Sequence, residues 1–262
     1  MVDSPPAHAR AVDLVRRDPA LIRATISAAT HTGWVRERNE DWFAATGLPA
    51  PNGDGDAVSA ESIGSCCLAV VADGLGGHPA GDVASQLAIE SLFASCPGSP
   101  GSLVDALHTA NEAIYDQMSA NNGNVGMGAT IAVVLITQSE AAVANVGDTK
   151  AFEFADGVLR QLTVDDVPHD RVQLLGLATP IVTQSLGGRT KFKKVHPHLA
   201  RAARVEQQRI LICSDGLTSF VPSEAIRGTL NRETGSEAVR QLIGLALAAG
   251  GRDNITVVLI ET

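Results

Sequence analysis

The feature that most constrains this chain is an apolar run, Val70-Val71-Ala72, which ends in Asp73 and is followed at once by Gly74-Leu75-Gly76-Gly77-His78. A short apolar run bounded by turn residues predicts a buried strand, so Asp73 is carried to the edge of a core. The glycines let the backbone turn sharply and come close to whatever Asp73 holds. The same device recurs at Ile210-Leu211-Ile212-Cys213-Ser214-Asp215-Gly216-Leu217. Asp148 closes Ala144-Asn145-Val146-Gly147, and Asp253 precedes Asn254 and the apolar run Ile255 to Ile260. Carboxylates at strand ends, if they converge, raise one another's pKa unless a cation neutralises them. With no pair of Cys or His nearby, hard oxygen donors favour Mg²⁺ or Mn²⁺ over Zn²⁺.

Between these motifs the pattern alternates between strand-like and helical stretches. Residues 1–23 form a leader with a short helix expected from Ala9 to Arg17, stopped by Asp18-Pro19. The core is expected to begin at Ala24, with a strand to Thr30 and a second from Trp42 to Thr46. Pro49 to Ser62, rich in Pro, Gly and Asp, predicts a surface loop. Its Asn52-Gly53-Asp54-Gly55-Asp56 resembles the opening of a calcium loop but lacks the rest and the closing Glu. Apolar residues at helical spacing predict a helix from Pro79 to Ser95 and another from Ser102, as N-cap, to Met118. Two helices in succession suggest an antiparallel pair covering one face of a sheet.

Strands are expected at Ala129–Thr137, Ala141–Val146, Ala151–Phe154 and Val158–Thr163, joined by short connections as an antiparallel meander. Asp156-Gly157 is the hairpin turn of the last two. Residues 164–207 carry Asp165, Asp166, His169 and Asp170, then a basic cluster of Arg189, Lys191, Lys193 and Lys194. They predict a loop-rich insertion at a sheet edge. The strand at 210–213 is followed by helices near Ser223–Asn231 and Ser236–Ala249 and by a closing strand.

Composition narrows the functional classes. With 29 acidic against 20 basic side chains the net charge is −9, which argues against sequence-independent nucleic-acid binding and against an anionic membrane surface. The strongly apolar runs are strand-length, too short to cross a bilayer as a helix, and the N-terminus lacks a signal peptide's apolar core. Cys66, Cys67, Cys96 and Cys213 show no CxxC spacing. Cys66, Cys67 and Cys213 read as small buried hydrophobes, and a reduced cytoplasmic compartment is expected.

Taken in order, Val35-Arg36…Asn39-Glu40-Asp41, Val71-Ala72-Asp73-Gly74-Leu75-Gly76-Gly77-His78, Gly126-Met127-Gly128-Ala129-Thr130, Ala144-Asn145-Val146-Gly147-Asp148-Thr149-Lys150, Ser214-Asp215-Gly216-Leu217 and Gly251-Arg252-Asp253-Asn254-Ile255-Thr256 resemble the metal-dependent serine/threonine phosphatases of type 2C, in bacterial form. The resemblance covers Ala24 to Thr262 as one catalytic domain. It implies an α+β fold, a four-layer α/β/β/α sandwich of two stacked, mainly antiparallel sheets flanked by helix pairs, with a metal centre in the cleft at one end.

The resemblance also implies roles. Asp73 would bridge two divalent cations, Mn²⁺ or Mg²⁺, with the Gly74 carbonyl on one and Asp215 and Asp253 on the other. A water held between them would lose its proton at neutral pH and become the nucleophile. Asp148 would hold a third ion; the alternative is that Gly147-Asp148-Thr149 is only a good turn. Glu40 and Asp41 would touch metal-bound waters, and Asn254 would fix the geometry around Asp253. The family's spacing, Arg-x-x-Asn-Glu-Asp, implies Arg36, not Arg38, as the phosphate clamp. His78 would either protonate the leaving group or make a structural hydrogen bond at the start of the next helix. His196-Pro197-His198 is expected to be solvated.

The expected substrates are phosphoserine and phosphothreonine in proteins modified by a cognate kinase, handled by a monomer. Two alternatives remain: a phosphatase of small phosphoesters, and a catalytically quiet module that binds phosphate or a partner. The chain departs from the family after Leu162-Thr163, where many members have Asp-His-Ser and this one has Asp165-Asp166-Val167. The flap-like 164–207 segment is therefore where substrate range is least legible.

Overall fold

The computed structural model describes residues 21–49, 54–75, 80–95, 97–120, 124–168, 182–204 and 207–262. The helix expected at 9–17, the calcium-like 52–53, Cys96 and the 169–181 part of the flap, with His169 and Asp170, lie outside the described residues.

Every strand pairing is antiparallel, and the strands divide into two sheets. The first runs in the order β3 (Val58–Gly64), β1 (Ile22–His31), β12 (Ile255–Glu261), β11 (Arg209–Cys213), β7 (Lys150–Ala155), β8 (Val158–Gln161). The second runs β10 (His198–Ala203), β6 (Glu140–Val146), β5 (Gly128–Ile136), β4 (Cys67–Leu75), β2 (Asp41–Ala45), with the two-residue β9 (Leu186–Gly187) also on β5. Two long helices, α1 (Gly81–Ala94) and α2 (Pro100–Ala120), cover the second sheet. The short α3 (Asp215–Thr218) follows β11, and α4 (Ser223–Arg232) and α5 (Gly235–Ala248) cover the first sheet.

The period-two alternation of strand side chains sorts the core into three apolar layers. On β4, Ala69 and Val71 face the first sheet's Ile26, Ile210, Ile212 and Val258, while Val70 and Ala72 face Leu92, Leu103, Leu107 and Ile114 of the helices. Leu211, Val257 and Leu259 face outward against Ile226, Leu230, Leu242 and Ile243. Strands covered on both faces carry no polar alternation, which is why β4 and β5 read as unbroken apolar runs. The expected α/β/β/α sandwich is the observed one. No described helix is long and apolar enough to cross a membrane.

Four expectations are corrected. The loop expected at 49–62 contains β3, whose register on β1 runs from Ile22↔Gly64 to Ala28↔Val58; as an edge strand with exposed Ser59 and Glu61, it lacks the apolar signature of its neighbours. β1 starts at Ile22, inside the stretch read as leader. Helix α2 starts at Pro100, a residue pre-set for the first helical position. Ser102 therefore lies inside the first turn, where it exchanges hydrogen bonds with Ser99 (N–H of Ser99 to Oγ of Ser102, 3.0 Å; the reverse, 3.3 Å).

The fourth correction bears on the site. The expected 129–163 meander is broken in the middle, because β6 belongs to the second sheet and β7 to the first. The chain crosses between sheets at Gly147-Asp148-Thr149. Gly147 holds φ +97°, and a Cβ there would lie 2.4 Å from the Thr130 side chain, so only glycine fits the crossing. The hairpin at Asp156-Gly157 has positive φ at both residues (51° and 73°), the geometry its sequence predicts.

Candidate metal centre

The strand ends deliver carboxylates from both sheets to one edge of the sandwich. Asp73, near the end of β4, stands opposite Asp41 on β2 and Thr130 on β5. Asp41, the first residue of β2, is 2 % exposed. One of its carboxylate oxygens accepts from Ser214 Oγ and from Thr256 Oγ1, each at 2.7 Å, tying the second sheet to the first. Its other oxygen, Oδ1, is buried and has no hydrogen-bond donor among the described residues.

Asp215 opens α3 directly after β11, and Asp148 sits on the crossing between sheets. Asp253 caps the backbone N–H of Asn254 at 2.9 Å and accepts from Arg36 Nη2 at 2.7 Å. Lys150 lies beside Asp148: its Nζ lies 2.8 Å from Asp165 Oδ2 and donates to the Asp148 carbonyl at 3.0 Å.

Electrostatics show how closely these groups share one space. Burial, and then the charges of Asp41, Asp215, Asp148 and Asp253, hold the Asp73 carboxyl well above the usual carboxylate range. Burial, with Asp148 and Asp253, pushes Asp215 up to about 7, against the opposing pull of Lys150 and a hydrogen bond with Asp73. Burial raises Asp41 to about 7, with Asp215 and Asp253 adding to it against hydrogen bonds from Ser214 and Thr256. Asp148 is raised by burial and by Asp165, with Lys150 opposing.

The backbone is shaped around the same point. The Gly74 N–H donates to the Glu40 carbonyl at 3.1 Å. A Cβ on Gly74 would lie 2.3 Å from the Gly81 carbonyl, and one on Gly81 would lie 2.7 Å from the Glu40 carboxyl carbon. Glu40 thus rests over the start of α1. Asn254 accepts from the Glu40 N–H at 2.9 Å and donates to the carbonyls of Thr32 (2.9 Å) and Arg38 (2.8 Å). Its amide therefore holds the whole 32–40 loop that presents Arg36. The Arg38 side chain is exposed. His78 lies outside the described residues.

Asp41, Asp73, Asp148, Asp215 and Asp253 are therefore in electrostatic contact, with Arg36 on Asp253. Among the described residues, no three His, Cys, Asp or Glu side chains close on a single point: Asp253 is turned to Arg36 and Asp41 to Ser214 and Thr256. The donor set still fits hard divalent cations. It consists of oxygen atoms, it leaves Asp41 Oδ1 buried without a donor, and its charges oppose one another out of water.

Sequence reasoning missed Ser214 and Thr256, the donors to Asp41. Each belongs to a quoted motif, but neither was given a role, and burial at the end of an apolar run was the available signal. It also missed Asp166, which is described below.

The comparisons with known proteins place the chain in a family. The family model for protein phosphatase 2C matches residues 49–243, well over half the chain. The chain belongs to the protein phosphatase 2C family. Among curated members, serine/threonine protein phosphatase PstP of Mycobacterium tuberculosis is 34% identical over 205 residues, covering 74% of this chain but 40% of that protein; the chain thus spans well under half the length of that relative. Serine/threonine phosphatase stp of Listeria monocytogenes is 31% identical over 256 residues, covering 88% of this chain and 93% of its own. Among solved structures, the PstP catalytic domain in complex with two manganese ions superposes with a TM-score of 0.75 at 30% identity, covering 92% of this chain and 99% of that one. Serine/threonine phosphatase Stp1 of Staphylococcus aureus superposes at 0.74 and 27% identity, covering 90% and 94%.

Proposed function

We propose that this family member hydrolyses phosphoserine and phosphothreonine monoesters in proteins, using two divalent cations, Mn²⁺ or Mg²⁺, held at the end of the sandwich. The observation that carries this reading is the half-buried Asp73 carboxyl at the end of β4, surrounded by four more carboxylates that all oppose its ionisation. Asp73, the Gly74 carbonyl, Asp215 and Asp253 would hold the two ions, Asp148 a third, and Glu40 and Asp41 would order water around them. Bound divalent cations supply Lewis-acid charge and a water of lowered pKa.

The chain's own residues do the rest. Arg36 is held to Asp253 through one Nη, and a planar guanidinium keeps further donors for a pair of phosphoryl oxygens. Asn254 fixes the loop that aims it. Among the described residues the two nearest candidate nucleophiles are disarmed: Ser214 Oγ is committed to Asp41, and burial pushes the Cys213 thiol up to about 12. Hydrolysis without a phosphoenzyme follows. A cognate kinase as the source of substrate, a monomeric state and a cytoplasmic location belong to the same proposal; free Cys66, Cys67 and Cys213 among the described residues support the reducing compartment, and the net charge of −9 favours a chain that does not self-associate.

The deciding experiment measures hydrolysis of a phosphothreonine peptide and of a chromogenic phosphoester, with Mn²⁺ and with chelator, for the native chain and Asp73→Asn. Activity is expected only in the native chain with metal. Activity that survives both chelator and substitution would remove the metal mechanism, and turnover of the small ester alone would favour the small-phosphoester reading.

A further inference from the structure

The basic cluster that follows β9 is built as a binding site. Arg189, Lys193 and Lys194 line a cleft of about 380 Å³ whose far wall includes Leu75, the last residue of β4. All three, with Lys191, are exposed, and none forms an ion pair among the described residues. Four cations without an ion pair among the described residues, in a chain of net charge −9, make a local positive field against the general sign of the molecule.

The loop that carries them is fixed at both ends. Leu186 (0 % exposed) and Val195 (1 %) are in the core against the helices. Asn111 of α2, 1 % exposed, accepts from the Gly187 N–H at 2.9 Å and donates to the Lys193 carbonyl at 3.0 Å. Tyr115 of α2 donates to the Gly187 carbonyl at 3.2 Å and meets the Phe192 ring edge-on with centroids 5.0 Å apart. A buried asparagine spanning both sides of the loop gives the backbone that carries the cations a preset position. Binding there would not require the loop to be ordered first.

The register sets the distance to the metal centre. Leu75 pairs with Gly128, and Gly128 pairs with Gly187, so β9 lies two ladder steps from β4, about 10 Å. Asp73 is two residues back along β4, about 7 Å. The backbone of Gly187, where the basic loop begins, is therefore about 12 Å from Asp73, a span that an extended peptide covers in about three or four residues.

We propose that Arg189, Lys193 and Lys194 form a subsite for an anionic side chain of the phosphoprotein substrate, a carboxylate or a second phosphate, about three or four residues from the phosphoresidue being hydrolysed. The proposal rests on the hydrolytic reading above and names its substrate class: acidic or multiply phosphorylated segments.

The test compares phosphothreonine peptides carrying Glu, a second phosphothreonine, Ala or Lys at those offsets, and a chromogenic phosphoester, on the native chain and on R189A/K193A/K194A. The native chain is expected to favour the anionic peptides over the Ala peptide by about tenfold, expressed in KM and weakened by salt. The triple variant should lose that preference while turning over the small ester as before. The glutamate and phosphate arms rank the two anions. A charge-reversed K193E/K194E chain should favour the Lys peptide.

Indifference of the native chain to the flanking charge, or equal losses on peptide and ester, would overturn the subsite. Preferential binding of an oligonucleotide to the same residues would do so too. If neither substrate is hydrolysed, the catalytic reading fails on its own. Fluorescence anisotropy of a labelled Glu peptide then decides the subsite: tighter binding to the native chain than to the triple variant supports it, and equal binding sinks it.

Discussion

The carboxylate of Asp166 accepts from the backbone N–H of Gly147 at 2.8 Å, and the N–H of Asp166 donates back to the Gly147 carbonyl at 3.0 Å. This reciprocal clasp holds the glycine at which the chain leaves one sheet for the other and delivers Asp148. The same carboxylate accepts from Gln184 at 2.9 Å and pairs with His198 Nε2 at 2.9 Å. Asp166 thus ties the flap segment and the edge strand β10 to the crossing. It stands where many family members carry the His of Asp-His-Ser, and here His198 supplies an imidazole from the neighbouring strand.

Asp166→Ala should loosen the Asp148 turn without touching Asp73 or Asp215. The lost N–H acceptor costs about 1–3 kcal/mol, with a fall in melting temperature of a few degrees. If Asp148 helps to hold a third ion, the Mn²⁺ concentration for half-maximal activity should rise several-fold while the maximal rate falls less. A metal titration that overlays the native curve would show that the clasp does not support the metal centre. Asp166→Asn, which keeps an acceptor oxygen, should lie between the two.

The metal-free chain should lose stability as pH rises from about 4 to about 7. Asp41 and Asp215 titrate near 7 when folded and near 3.9 when unfolded. The folded state therefore keeps protons that the unfolded state has released, and that advantage is complete below the unfolded pKa and gone above the folded one. Thermal melts in chelator across this window check the sign. The slope should flatten with Mn²⁺ present, and Asp215→Asn should be more stable than the native chain at pH 7.5 in chelator while being inactive. A metal-free melting temperature that is flat, or that rises with pH and is unmoved by Asp215→Asn, would mean that the carboxylates do not oppose one another.

What the sequence made legible follows the same physics. Buried strands covered on both faces, β4, β5, β11 and β12, announce themselves by unbroken apolar runs, and the aspartates that end them were found with them. The edge strand β3 was not visible, because half its side chains face water and its composition is that of a loop. The passage between sheets at Gly147 was hidden for a different reason. A short connection normally joins neighbouring strands, and only the pairing of β6 with β5 and of β7 with β11 reveals that this one does not. Ser214 and Thr256 escaped notice because a hydroxyl beside an aspartate carries no pattern until Asp41 arrives from a distant strand.

Arg36→Lys should keep the charge on Asp253 but lose the forked donor set. A single ammonium cannot grip two phosphoryl oxygens in one plane, so kcat/KM on a phosphothreonine peptide is expected to fall by about ten- to a hundredfold, corresponding to about 1.4–2.7 kcal/mol. Arg38→Ala, at an exposed side chain two residues away, should leave it within about twofold. If the two substitutions have equal effects, the clamp has been placed on the wrong arginine.

Asn254→Ala separates support from chemistry. Its side chain is the partner of the Glu40 N–H and of the Thr32 and Arg38 carbonyls, three backbone groups from the loop that carries Arg36. Asn254 itself is 6 % exposed, so water replaces those bonds poorly. A loss of about 2–4 kcal/mol of stability is expected, with a melting temperature lower by about 4–10 °C for a chain of this size. Because Asp253 keeps its own carboxylate, metal should still bind and still raise the melting temperature. The activity lost should therefore appear with the peptide and the small ester alike, through the misaimed Arg36. Asn254→Asp keeps the acceptor oxygen but replaces both amide donors with an acceptor facing two carbonyls, and it adds a charge beside Asp253. It should accordingly be worse than alanine in chelator and recover part of the difference when Mn²⁺ is added. If Asn254→Ala melted like the native chain while losing all response to metal, Asn254 would belong among the ligands instead of behind them.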